Sequence, residues 1–210
     1  FSIFCFLVLI NGSNFIDGLN GLMLGYFISI ISIIFYLNSY ITLDIENNLI
    51  IALLIILAFL FILNLNNKLF MGDSGSYVLS LLCGYFLVKI YEMSLEISPF
   101  FIVLLLWYPC FENLFSIIRK FTLKRSPVNA DNNHLHQLIF FYFKKKLVFK
   151  NLNINNISAF IIVFYNLLIF LISLIDPSNS QFQIILILFN IFIYLLLYFK
   201  LFSFRYKIKF

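Results

Sequence analysis

The chain has 210 residues, 63% hydrophobic and 11% charged, with a mean hydropathy of +1.03 and a net charge of +5. A soluble domain cannot hide that much apolar surface, so the composition argues for a polytopic membrane protein. Cys5, Cys83 and Cys110 all lie in apolar runs without metal-ligand spacing. They read as buried small hydrophobes and not as a disulfide framework.

The first run, FSIFCFLVLI, lacks a basic n-region and a small-residue cleavage pattern. It reads as the tail of a membrane helix whose beginning lies before Phe1, so the chain is expected to be a fragment. Six further runs are long enough, or nearly so, to cross ~30 Å of hydrocarbon. They are Leu22–Leu37, Leu49–Leu63, Ser74–Tyr91, Pro99–Ile118, Ile157–Ile175 and Phe182–Phe199. Only a helix satisfies its own backbone in lipid, so the fold class is all-α, a single transmembrane domain over residues 1–210.

Charge gives the orientation. Loops 38–48, 92–98 and 176–181 contain no Lys or Arg, whereas loop 119–156 carries Arg119, Lys120, Lys124, Arg125, Lys144, Lys145, Lys146 and Lys150. Lys68 and the basic C-terminal tail fall on the same side after six crossings, with Lys89 as the exception. That side is expected to be the cytoplasm, with loops at about 11–21, 64–74 and 119–156. Topology and attraction to the anionic bilayer then account for the basic balance, and no nucleic acid is called for. Asparagine is frequent in the loops, which reads as a bias of composition.

The unusual polar residues sort to the same side. INGSNFIDGLNGL (10–22), NLNNKLFMGDSGS (64–76) and RSPVNADNNHLHQL (125–138) all face it, with both histidines. The outer loops have acidic residues but no glycine or histidine. That asymmetry suits an active site at the membrane surface. Asp73 lies between Gly72 and Gly75, before a helix expected to begin at Ser74. Its carboxylate could hold Mg²⁺, or could merely cap the helix. Asp17 stands among Asn11, Asn14 and Asn20; if the segment is helical, positions 14, 17 and 21 share a face, and otherwise it is a cap and turn. His134 and His136 follow Asp131 and suit a diphosphate better than zinc, or else are surface histidines of a polar loop whose replacement leaves stability nearly unchanged. Glu112, inside an apolar run, is a functional candidate or a structural partner for Arg119. Residues 139–149, apolar but broken by lysines, read as a helix lying in the interface.

Taken in order, N-x-x-N-x-x-D-G-x-x-G-L, F-M-G-D-S-G-S, an acidic residue followed by Arg, and S-P-x-x-x-D-x-x-H-L-H resemble the polyprenyl-phosphate N-acetylhexosamine-1-phosphate transferases. These are membrane enzymes of glycosyltransferase family 4, related to phospho-N-acetylmuramoyl-pentapeptide transferase. The D-x-x-H-L-H form looks more like the branch that starts O-antigen, common-antigen and related cell-envelope glycans. The resemblance implies transfer of a sugar 1-phosphate from a UDP-N-acetylhexosamine to undecaprenyl phosphate with release of UMP. It implies Mg²⁺, with Mn²⁺ as an alternative, and leaves a homodimer open. By motif, Asp73 would be the principal metal ligand, with Asp17 beside it. Phe70 would stack on uracil, Asn14 and Asp17 would line the nucleotide-sugar site, and His134, His136 and Arg125 would hold diphosphate or the departing UMP. Glu112 and Asp131 complete the expected substrate-binding set.

Two departures stand out. The second aspartate of the family's D-G-x-D-G motif is Asn20 here, which can meet a uracil edge but brings no charge. The family's earlier Asp-Asp motif is absent from these residues. It would lie before Phe1, so the expectation is the C-terminal two-thirds of such an enzyme, inactive by itself. The competing readings are a transporter or flippase, which would need charges at mid-depth, and a non-catalytic membrane scaffold.

Overall fold

Continuous apolar sequence leaves the backbone no partner but itself, and the described elements are all helices. The computed structural model describes residues 2–40, 46–94, 96–122, 124, 132–146 and 153–207. They form α1 (Ser2–Ile16), α2 (Leu22–Tyr40), α3 (Asn47–Leu65), α4 (Gly72–Met93), α5 (Pro99–Leu105), α6 (Trp107–Thr122), α7 (Leu135–Lys146), α8 (Ile154–Ser173) and α9 (Ser180–Tyr206). α2, α3, α4, α8 and α9 are each long and apolar enough to cross a membrane, and α5 with α6 adds one more if counted as a single span. The multi-pass all-α architecture expected from composition is the one observed.

The expected span Pro99–Ile118 is not one rod. It breaks at Leu106, and the two halves are bent by 73°. Pro109 explains the break: it has no N–H to donate, and its ring clashes with the carbonyl four residues back. That carbonyl, on Leu105, is satisfied from outside its helix, accepting from Tyr26 Oη at 2.8 Å. The upper half starts cleanly. Ser98 Oγ accepts from the Phe100 N–H, and Pro99 occupies the first turn.

α1 also runs further than its apolar stretch. Residues 11–16, expected in a loop, are helical, and Asn11 Nδ2 and Ser13 Oγ are satisfied within the helix by donating back to the carbonyls of Leu7 and Leu9, each at 2.8 Å. Gly12 faces α6 so closely that a Cβ there would lie 2.0 Å from the Pro109 carbonyl oxygen. α1 thus packs against α6 and α4, while α2 is enclosed by α3, α4 and α8. α2 carries the heart of the core, with Leu22, Tyr26, Phe27, Ile30, Ile31 and Ile34 fully buried. α3 and α9 bury few of their side chains and leave many apolar ones exposed, as faces turned to lipid would. Of the cysteines, Cys83 is buried, Cys110 is partly covered and Cys5 is exposed. The expectation of burial fails at Cys5, since an apolar thiol facing hydrocarbon needs no protein cover.

Candidate active site

The first wall of the site is the turn joining α1 to α2. α1 stops at Ile16, so positions 14, 17 and 21 do not continue on one helical face; Asp17–Gly21 form a turn. Gly21 closes it with φ +82°, a conformation that side chains disfavour. Asparagines from other elements fasten it. The Asn20 N–H donates to Asn155 Oδ1 at 2.7 Å, Asn20 Nδ2 donates to Asn67 Oδ1, and the Gly21 N–H donates to Asn64 Oδ1. Asn64 Nδ2 in turn donates to the Leu69 carbonyl. The asparagines are therefore staples and not a bias of composition. Asn20 itself is buried, with its side-chain nitrogen used inside the fold.

The second wall is the start of α4. The helix begins at Gly72, φ +63°, two residues earlier than expected. The cap position is Met71, which makes no side-chain capping bond, and Asp73 sits inside the first turn. Its carboxylate is exposed and is not an N-cap. The two walls touch. The Gly72 backbone N–H and the Asp73 charge both lie close enough to act on the Asp17 carboxylate. Ser76 Oγ, buried, is 3.5 Å from Asn14 Oδ1. Burial pushes the Asp17 carboxyl up to about 6; the Gly72 N–H opposes that shift and the neighbouring Asp73 charge adds to it.

The third wall is the histidine pair. Neither is a surface residue: His134 is 5% exposed and His136 not at all. The two rings stack, 5.7 Å apart and 11° from parallel, and His134 also lies 4.9 Å from the Phe15 ring. A Cβ on Gly18 would meet His136 Nε2 at 2.7 Å, so the imidazole presses on the Asp-Gly turn itself. A side chain at Gly18 would force the His136 ring to shift. Both ring nitrogens of His136 are buried without a hydrogen-bond partner. Burial, the largest influence, pulls this imidazole down to about 4, so at neutral pH it carries no charge. The expectation that replacing these histidines leaves stability unchanged therefore does not hold.

Glu112 is fully buried and pairs with His134, not with Arg119. Its Oε1 is 2.9 Å from His134 Nδ1 and also accepts from the Leu135 N–H. Arg119 instead donates to the Asn133 carbonyl at 2.6 Å and to Tyr198 Oη at 3.0 Å, between the rings of Phe115 and Tyr198. Arg205 and Tyr206, at the end of α9, hold Asn132 and Asn133 from the other side. The segment that delivers the histidines is thus fixed by α6 and α9, a role the sequence did not reveal. Phe70 is 73% exposed beside the start of α4. Arg125 and Asp131 lie outside the described residues.

Two carboxylates from different motifs, one close to a backbone N–H, suit a hard divalent cation that completes its shell with phosphate oxygens. No group of three or more His, Cys, Asp or Glu among the described residues forms a full protein cage. The pair of carboxylates fits an ion shared with a phosphate substrate. Away from this end, an apolar groove of about 400 Å³ is lined by Phe4, Leu9, Gly84, Val103, Trp107 and Ile191 among others.

Comparison with known proteins agrees with the geometry. Residues 1–91 match the model of the family described as glycosyl transferase family 4. The chain is 29% identical over 139 residues to the undecaprenyl-phosphate alpha-N-acetylglucosaminyl 1-phosphate transferase of Thermotoga maritima, covering 66% of this chain and 42% of that protein. The match thus spans less than half the length of the relative. No solved structure matches. The motif order and the meeting of those motifs at one end of the helices agree with these two similarities.

Proposed function

We propose that this site transfers N-acetylhexosamine 1-phosphate from a UDP-sugar to undecaprenyl phosphate, releasing UMP at the cytoplasmic face of the membrane as the first step of a cell-envelope glycan. The observation that carries the reading is the convergence of Asp17, Asp73 and the paired imidazoles, from three distant parts of the chain, on the Asp17–Gly21 turn. A transporter would need charges at mid-depth, whereas these groups cluster at helix ends.

Asp17 and Asp73 would hold Mg²⁺, or Mn²⁺ in its place. When bound, the ion neutralises charge on the diphosphate and draws electron density from the phosphorus under attack. The remaining work falls to the protein. Asn14 and the exposed Phe70 ring would seat the nucleotide, with stacking on uracil. The first-turn amides of α4 present partial positive charge to an anion. His136, wholly enclosed and packed on Gly18, would support the turn that carries Asp17. An oxygen of the lipid phosphate attacks the phosphorus that bears the sugar. The new P–O bond forms as the anhydride bond breaks, and UMP leaves with the electron pair. Such a reaction rests on positioning and charge neutralisation, and an attacking phosphate is already anionic. The apolar groove begins roughly 10 Å along α1 from the turn, a reach suited to the first units of a polyprenyl chain.

Asp73→Asn tests the reading. Asn nearly preserves the shape of Asp, but only the carboxylate serves a hard cation. In the full natural chain, the substitution should reduce divalent-dependent UMP release from UDP-N-acetylhexosamine and undecaprenyl phosphate by at least about 100-fold, on the scale of a lost charge-stabilising contact. Near-parental turnover with unchanged ion dependence would remove the metal assignment.

A further inference from the structure

A buried carboxylate persists only where a partner needs it, and the partner of Glu112 is unusual. Arg119, a residue of the same helix, is spent on Asn133, Tyr198 and Ser116. The Glu112 carboxylate meets an imidazole instead, at 2.9 Å. It also gathers the start of α7, because the same oxygen accepts the Leu135 N–H at 3.3 Å. The backbone N–H of His134 donates to Gln137 Oε1, so main chain and side chain are both held. Rings confine the imidazole: Phe15 lies at 4.9 Å and His136, nearly parallel, at 5.7 Å. The freedom left to the ring is a flip that exchanges Nδ1 for Cδ2, and the Glu112 bond removes it.

We propose that Glu112 is a positioning residue for the transfer, holding His134 as the Nδ1–H form so that Nε2 is the nitrogen offered to a phosphate oxygen. The inference rests on the function proposed above. Glu112 touches no substrate, being wholly enclosed, while 7% of the His134 side chain remains exposed. An acceptor on Nδ1 fixes the tautomer, as the outer partners of metal-bound and catalytic histidines do. When Nε2 also carries a proton, the carboxylate behind the ring offsets the charge, and the imidazole can donate toward the phosphate. The pairing also explains an acidic residue deep in an apolar run: it serves the histidine and not the stability of α6.

The experiment is a double-mutant cycle in the full natural chain, measured as single-turnover UMP release with enzyme in excess. Glu112→Gln keeps the shape and removes the charge. It should lower the rate about 10–100-fold, the usual cost of losing such an outer partner. In a His134→Gln background the same substitution should change the rate by less than roughly 2-fold, because its effect passes through His134. A stability role alone would give equal losses in both backgrounds, and that result, or parental turnover in Glu112→Gln, overturns the proposal. A natural chain that releases no UMP overturns the function itself and is told apart by that control. Should Glu112→Gln fail to fold, the ¹⁵N imidazole spectrum of the unaltered protein decides. The His134 signals, assigned by their loss in His134→Gln, should report a proton on Nδ1; a proton on Nε2 alone overturns the proposal.

Discussion

A neutral imidazole deep in a protein resists protonation, and His136 gives the site a measurable acid sensitivity. Its folded-state value, about 4, lies below the ordinary 6.5 because of burial. The unfolded chain therefore binds a proton that the folded one refuses, and stability is full above about 6.5 and lost as pH falls toward 4. Between pH 7.5 and pH 5 this group alone should cost about 2 kcal/mol. Asp17 works in the opposite sense, since its raised carboxyl destabilises the fold above about 6 and that penalty fades on acidification. The informative quantity is thus the difference between the parent and His136→Gln in thermal melts at the two pH values. The parent should lose more stability than the variant on going to pH 5, and parallel losses would return the imidazole to solvent. The sequence supplied the identities of these residues but not their burial. H-L-H after a basic stretch looks like a polar loop. What makes it an interior feature is Glu112, 22 residues earlier, and the Phe15 ring, neither of which any local spacing connects to it.

Helices were the most legible level, because lipid-spanning length and apolar continuity are written directly in the residues. The spans begin or end within a few residues of expectation at α2, α3, α8 and α9, apart from the longer C-terminal end of α9. The failures came where polar atoms find partners in other elements. α1 continues through Asn11–Ile16, where Gly12 admits the Pro109 carbonyl of α6. The break at Leu106 had a visible signal in Pro109, inside an otherwise unbroken run. What the sequence hid was the remedy, a hydroxyl from α2. Tyr26 is fully buried, and its Oη is the donor to Leu105. Tyr26→Phe preserves the ring and leaves that carbonyl unpaired, so it should destabilise the protein by about 1–3 kcal/mol. Chemical denaturation in detergent should show the loss, with the helical content of the folded state unchanged. A cost near zero would mean that the bend opens or rotates to find another donor.

At the scale of the whole molecule, the charge pattern and the helix ends agree. Lys144, Lys145 and Lys146 close α7, Arg205 and Lys207 close α9, and Arg119 and Lys120 close α6. Arg119, Arg205 and Tyr206 all reach the 132–133 segment, so these basic termini share one end of the bundle with the histidines and the Asp17 turn. At the other end the Ser98 N–H donates to the Pro177 carbonyl at 3.0 Å, tying the α4–α5 loop to the α8–α9 loop, where Asp176 sits. A membrane protein so divided should keep its basic end in the cytoplasm. The site would then lie where a soluble nucleotide sugar is supplied. Lys146 and Ser178 are both exposed and mark the two ends. With the native cysteines replaced, Lys146→Cys should resist a membrane-impermeant thiol reagent added to intact cells and react after permeabilisation, whereas Ser178→Cys should react at once. The reverse pattern would place the carboxylates and histidines outside the cell, away from any nucleotide sugar, and the transfer reaction would lose its donor.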